Sequence, residues 1–196
     1  MAVNIVGLKR SCQKLKNGGT KRIWLLNSMD IEEEFLNYKN ILQLGCFSGT
    51  VPFRNGAYLI EIEAWYDTGQ FGTEMSIGAG FAQSFQFKVL GYNQDILAFT
   101  ALLNSFPANV IVEGNNNEKF WIGTKYLPMF FEQKGNLPDS GLGRKEVEYA
   151  AKRDGMTIPI IPVDNLVFSS APDLSFEQFA NLSKREFDLS FDLSFG

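Results

Sequence analysis

Residues 95–123, DILAFTALLNSFPANVIVEGNNNEKFWIG, constrain this chain more than any other stretch, because they spell out a short helix, two strands and the turn between them. Ile96, Phe99, Thr100 and Leu103 fall on one side at helical spacing, and Leu97, Ala101 and Leu102 widen the apolar arc. Asn93 or Asp95 caps the first turn, and Pro107 closes the helix. Val110, Ile111 and Val112 read as a β-branched strand, residues 114–117 as a turn tolerant of positive φ, and residues 119–122 as the returning strand, ended by Gly123. The pattern is that of a lone helix laid against a hairpin.

A chain of 196 residues is long enough for one domain with a sizeable core, and no break in composition divides it. Its 18 phenylalanines favour strands and contact surfaces over a helical bundle, so the expected class is mainly β. Net charge is −4, which argues against bulk attraction to nucleic acid. Lys9, Arg10, Lys14, Lys16, Lys21 and Arg22 nevertheless crowd the first segment while acids gather towards the end. That polarity reads either as a solvated basic turn or as a head-to-tail contact between neighbouring copies. No apolar run approaches the ~20 residues of a membrane span, and the first residues lack the apolar core of a secretion signal. Folding in cytoplasm, with no membrane partner, is the expectation.

Along the chain, residues 22–27 read as a strand, and residues 31–40 as either a short helix capped by Asp30 or a loop. Residues 57–67 read as a long strand with Ile60 and Ile62 on a core face and Glu61, Glu63 and Asp67 on the other. Residues 69–80, GQFGTEMSIGAG, read as a flexible excursion, and residues 81–90 as a strand with Phe81, Phe85 and Phe87 on one side. Residues 126–133 are a further strand candidate. Residues 146–153 and 156–161 read as a hairpin across Asp154 and Gly155, with Pro159 and Pro162 placing the return strand at an edge or a strand end. Residues 163–181 show no regular pattern apart from a short-helix candidate at residues 176–182. Finally Phe187, Leu189, Phe191, Leu193 and Phe195 alternate with Asp188, Ser190, Asp192 and Ser194, the period of a half-buried strand that something must cover. The cover is either the chain's own core or a neighbouring subunit.

Few residues offer chemistry. The chain has no histidine, which removes Ser-His-Asp and Cys-His catalysis and histidine-based metal chemistry together. Cys12 and Cys46 are too few and too far apart for a zinc knuckle or a disulfide framework, and read as free thiols. The carboxylate pairs Glu61/Glu63, Glu146/Glu148 and Asp188/Asp192 have the spacing of an acid–base pair on a strand, but solvated strand faces produce it too. Residues 115–118 lack the pattern of a calcium loop, and the glycines of residues 69–80 lack a nucleotide-binding spacing. Trp24, Trp65 and Trp121 lie inside strand patterns and read as core or interface residues before sugar-stacking ones. No enzyme, cofactor or metal is expected.

Taken together, GGTKRIWLLN, the helix DILAFTALLN leading into NVIVEGNNNEKFWIG, and the following loop, hairpin and last strand resemble the tail tube proteins of tailed double-stranded DNA phages, especially those of the Bacteroidetes group. The resemblance covers most of the chain. It departs at the acidic, Phe-rich extension from about residue 172 and at residues 31–49. It implies a single β-sandwich or barrel-like domain with one flanking helix and extended hairpin and terminal arms. Such subunits form stacked rings, hexameric in that family, whose lumen conducts the genome during ejection without sequence-specific contact. On that basis Glu61, Glu63 and Asp67 are candidates for the lumen wall. Phe71, Met75 and Ile77, with Phe187, Leu189, Phe191, Leu193 and Phe195, are candidates for contacts between subunits, and residues 69–80 are expected to order only on assembly. The expected partners are further copies, other tail or neck proteins and the passing DNA, in a virion tail assembled in the host cytoplasm. A neck or tail-terminator ring and a carbohydrate-binding sandwich are the alternatives.

Overall fold

Runs of β-branched and aromatic residues, punctuated by glycine and asparagine, become the strands of a mainly β structure. The computed structural model describes residues 19–62, 68–136 and 145–168. In chain order the elements are β1 (Thr20–Asn27), α1 (Tyr38–Leu44), β2 (Phe47–Val51), β3 (Leu59–Ile62), β4 (Gln70–Ser76), β5 (Gly80–Leu90), α2 (Gln94–Leu103), β6 (Ala108–Gly114), β7 (Lys119–Ile122), β8 (Glu132–Asn136), β9 (Glu146–Met156) and β10 (Ile161–Phe168). A six-stranded sheet runs β2-β10-β7-β6-β1-β3 and a four-stranded sheet runs β4-β5-β9-β8. All pairs are antiparallel except β10 with β2.

The two sheets form a sandwich. Ile23 and Leu25 of β1, Ile60 and Ile62 of β3 and Val110 and Val112 of β6 share one core with Phe85 and Phe87 of β5 and Val147 and Tyr149 of β9. The helix α2 adds Ile96, Phe99 and Leu103 to that core, its first turn capped by the Asn93 side chain accepting from Ile96 N at 2.9 Å. Thr100 Oγ1 and the buried Tyr149 hydroxyl lie 2.8 Å apart, which satisfies the phenol inside the core. The opposite face of the six-stranded sheet is buried as well. There Leu26, Ile111, Trp121 and Ile161 meet Ile31, Leu36, Ile41 and Phe53 from the chain between β1 and β3. The unbroken apolar run of β6 is the signature of a strand covered on both faces.

The helix α2, the hairpin β6–β7 and the strands β1 and β5 lie where the sequence places them. Other elements differ. Residues 69–80 are no loose excursion: β4 pairs with β5 from Gln70↔Gln86 to Ser76↔Gly80, and only residues 77–79 turn. Asp154 and Gly155 form no hairpin turn. The register passes from Gln83↔Arg153 to Phe81↔Met156, so both residues oppose Ala82 alone, and Gly155, at φ 74°, makes a bulge inside β9. The next strand, β10, crosses to the other sheet between β2 and β7, and Pro162 stands at a strand end but not at an edge. It continues to Phe168 through residues whose pattern looks irregular.

Helix α1 starts later than residues 31–40 suggest, because Asn37 supplies the cap to Lys39 N and Gly45, at φ 70°, ends it. From residues 126–133 only Met129 bridges to Ala108 before β8 begins at Glu132. The strand expected over residues 57–67 is described as Leu59–Ile62, and residues 63–67 lie outside the described ones, as do residues 187–195.

Candidate assembly surface

Alternation along the four-stranded sheet sends its apolar side chains into the core and leaves the other face to solvent. That face carries Gln70, Gly72 and Glu74 of β4, Ser84, Gln86 and Lys88 of β5, Glu148, Ala150 and Lys152 of β9, and Glu132 and Lys134 of β8, aligned by the strand register. Small residues at Gly72, Ser84 and Ala150 form the floor of a depression of about 470 Å³, bordered by Gln70, Gln86, Lys152, Phe130 and Glu132.

The charges on this face are mostly interlocked. Lys88 Nζ donates to Glu146 Oε1 at 2.8 Å and lies 3.5 Å from Glu148 Oε2, and the hydrogen bond to Glu146 holds the ammonium above its ordinary range. Lys152 stands 4.0 Å from both Glu74 and Asp154. Gln86 Nε2 donates to Gln70 Oε1 at 3.0 Å. The Glu146/Glu148 pair, spaced like an acid and a base, therefore shares one lysine.

The predicted residues fall in separate places. Glu61 lies on the six-stranded sheet, opposite Trp24 in register, with Arg22 Nε 3.7 Å away. Glu63 and Asp67 lie outside the described residues. Phe71 is half-buried, its ring 4.9 Å from that of Phe120. Met75 is 73% exposed and Ile77 is fully exposed, so the end of the β4–β5 hairpin overhangs the sandwich with apolar side chains uncovered. Phe187, Leu189, Phe191, Leu193 and Phe195 lie outside the described residues, as do Cys12 and Trp65. Trp121 is buried and donates to Gly123 O at 3.0 Å, while Trp24 is half-buried with Lys119 Nζ 5.9 Å from its ring centre.

Two polar devices escape a reading of the sequence. Gln83 is buried in β5 among phenylalanines, where its Nε2 donates to Ile158 O at 3.0 Å and its Oε1 accepts from Gly123 N at 2.8 Å. It pins the four-stranded sheet to the end of β7. The available signal was a glutamine on the apolar side of the alternation between Phe81 and Phe87. Glu34, in the chain covering the six-stranded sheet, accepts from Leu36 N and Lys125 N at 3.2 Å each, and Lys125 Nζ donates to Glu32 O. Burial pushes the Glu34 carboxyl above the usual carboxylate range, against the lowering effect of those N–H groups and of Lys125.

Among the described residues no group of three His, Cys, Asp or Glu side chains could hold a metal, and no helix is long and apolar enough to cross a membrane. Fold and surface together define a mainly β, two-sheet sandwich with an open polar sheet face and an apolar overhanging hairpin. No family model, no curated protein and no solved structure matches the chain.

Proposed function

We propose that this chain is a structural subunit that assembles into stacked, hexameric rings, forming the tail tube of a tailed double-stranded DNA phage. The observation that carries the reading is the open face of the four-stranded sheet. A conduit for DNA needs a wall that is polar, rigid and without an excess of free cations, because free lysines bind phosphates with strong salt dependence. Here Glu74, Glu132, Glu146 and Glu148 stand against Lys88, Lys134 and Lys152, and Lys88 is held between two carboxylates. A net acidic surface repels the duplex and lets it slide.

This face is a better lumen wall than the one around Glu61, whose carboxylate is engaged by Arg22 on a sheet face that also carries Trp24 and a second apolar core. Any part played by Glu63 and Asp67 rests on the sequence alone. The exposed Met75 and Ile77 supply apolar contact for a neighbouring subunit, and Phe71 anchors the base of their hairpin. In this reading the chain performs no catalysis and holds no cofactor. Its partners are other copies, tail or neck proteins and the passing genome, within a virion tail assembled in the host cytoplasm.

Negative-stain electron microscopy with light scattering across a concentration series tests the proposal. Hollow tubes or stacked rings are expected. Single closed rings would transfer the chain to a neck or terminator role, and a persistent monomer that is retarded in a polysaccharide gel would replace the reading with a carbohydrate-binding module.

A further inference from the structure

Among the described residues the strand β4 is an edge of its sheet, hydrogen-bonded to β5 on one side only, and at seven residues it is longer than β2, β3 or β8, the other edges. Its core-facing side chains are Phe71, Thr73 and Met75, and burial falls along them from half-buried Phe71 to exposed Met75. The apolar layer of the sandwich thus runs out to an open edge, an arrangement that invites strand pairing unless something covers it. At β8 the corresponding positions are Gln133 and Gly135, which offer no such layer.

The sequence holds one segment with the complementary pattern. Residues 187–195 present Phe187, Leu189, Phe191, Leu193 and Phe195 on one side and Asp188, Ser190, Asp192 and Ser194 on the other. We infer that residues 187–195 of one copy add as a fifth strand to the free edge of β4 in a second copy. In that register the Phe and Leu side chains continue the layer of Phe71 and Met75, and the Asp and Ser side chains continue the wet face of Gln70 and Glu74. A slip of one residue would turn the aromatic row onto the polar face, so the alternation fixes which side meets the core. Backbone hydrogen bonds supply affinity and the aromatic row supplies specificity. The inference rests on the self-assembly proposed above in that the donor is a second copy.

The test is disulfide trapping in a full-length background carrying Cys12→Ser and Cys46→Ser. Neighbouring side chains on one face of paired strands stand about 4.5–5.5 Å apart at Cβ, close enough to bridge. Protein carrying Met75→Cys is mixed with protein carrying Leu189→Cys, Phe191→Cys or Leu193→Cys, oxidised mildly, and run on a non-reducing gel. The expected result is a linked heterodimer at one of these positions, at least tenfold more abundant than with Asp192→Cys, whose side chain belongs to the other face. Thr73→Cys is expected to link to the same arm cysteines, and Met75→Lys, a change at an exposed site that the fold is expected to tolerate, is expected to abolish that linkage.

Equal linkage through Asp192→Cys, or none at any position, would overturn the inference. So would linkage confined to single chains carrying both cysteines and insensitive to dilution, which would assign the segment to its own β4. Tubes without linkage would refute the docking and leave the tube reading standing. Linkage without rings or tubes would support the docking and refute the tube.

Discussion

Replacing Gln83 with leucine removes the clamp between the two sheets while keeping a side chain of similar size in place. Gly123 N–H and Ile158 C=O, bonded to Gln83 at 2.8 and 3.0 Å, lose their partners in a buried setting. Each stranded group costs about 1–3 kcal/mol, and leucine returns about 1 kcal/mol by sparing the buried amide, so the expected net loss is about 1–5 kcal/mol, centred near about 3 kcal/mol. Domains have about 5–15 kcal/mol in total, and for a chain of this size a loss of about 3 kcal/mol lowers Tm by about 6–12 °C. The assay is urea unfolding followed by tryptophan fluorescence, at one fixed protomer concentration so that assembly does not shift the midpoint. Trp121 is a local probe, since its indole donates to Gly123 O. Gln86→Leu is the control, because its bond to Gln70 lies on the exposed face and its loss should change stability by no more than about 0.5 kcal/mol. If Gln83→Leu proves no more costly than Gln86→Leu, the clamp does not contribute as argued.

Three further outcomes follow from the same geometry. Gly80 has φ 81° and a Cβ there would sit 2.6 Å from Met156 O, whereas Gly78 has φ 79° with open space, so in thermal melts Gly80→Ala should cost at least about 2 kcal/mol and Gly78→Ala only about 1 kcal/mol. Because burial raises the folded-state pKa of Glu34, the folded protein holds that proton to higher pH than the unfolded chain. The stability of the parent relative to Glu34→Gln should therefore fall as pH rises through the acidic range, and a flat or rising difference in urea titrations would contradict it. Assembled particles carrying Glu146→Lys with Glu148→Lys should retain duplex DNA at low salt and release it as salt rises, while the parent retains none in a filter-binding assay.

The parts of the fold legible in the sequence are those decided locally. Asn93, the apolar spacing of α2 and the turn with Asn117 at φ 61° each carry their own instruction, and the unit from α2 to β7 forms as read. The strand β4 was not legible because Gly69, Gly72, Gly78 and Gly80 look like flexibility when taken alone. Its order comes from pairing with β5, a partner the local sequence does not name. Asp154 and Gly155 carry the same local chemistry whether they turn a hairpin or bulge a strand, and only the register with Phe81 and Gln83 separates the two. The second core was announced by Val110, Ile111 and Val112, a run with no polar alternate. Its other half comes from residues 31–57, which have no period because they cover a sheet without joining it as regular strands throughout.

At the candidate surface, the exposure of Met75 and Ile77 comes from the pairing of β4 with β5 and was not readable, whereas the shared strand face of Glu146 and Glu148 was. The capture of that pair by Lys88 was not, since it depends on Lys88 facing Glu148 across two strands.

The most direct measurement is an electron cryomicroscopy map of particles assembled from the purified chain, at a resolution that separates the two sheets. The account predicts rings around a channel lined by the face of β4, β5, β9 and β8 that carries Gln70, Gln86, Lys88 and Glu148. A channel lined by the six-stranded sheet, or particles with no channel, would contradict it.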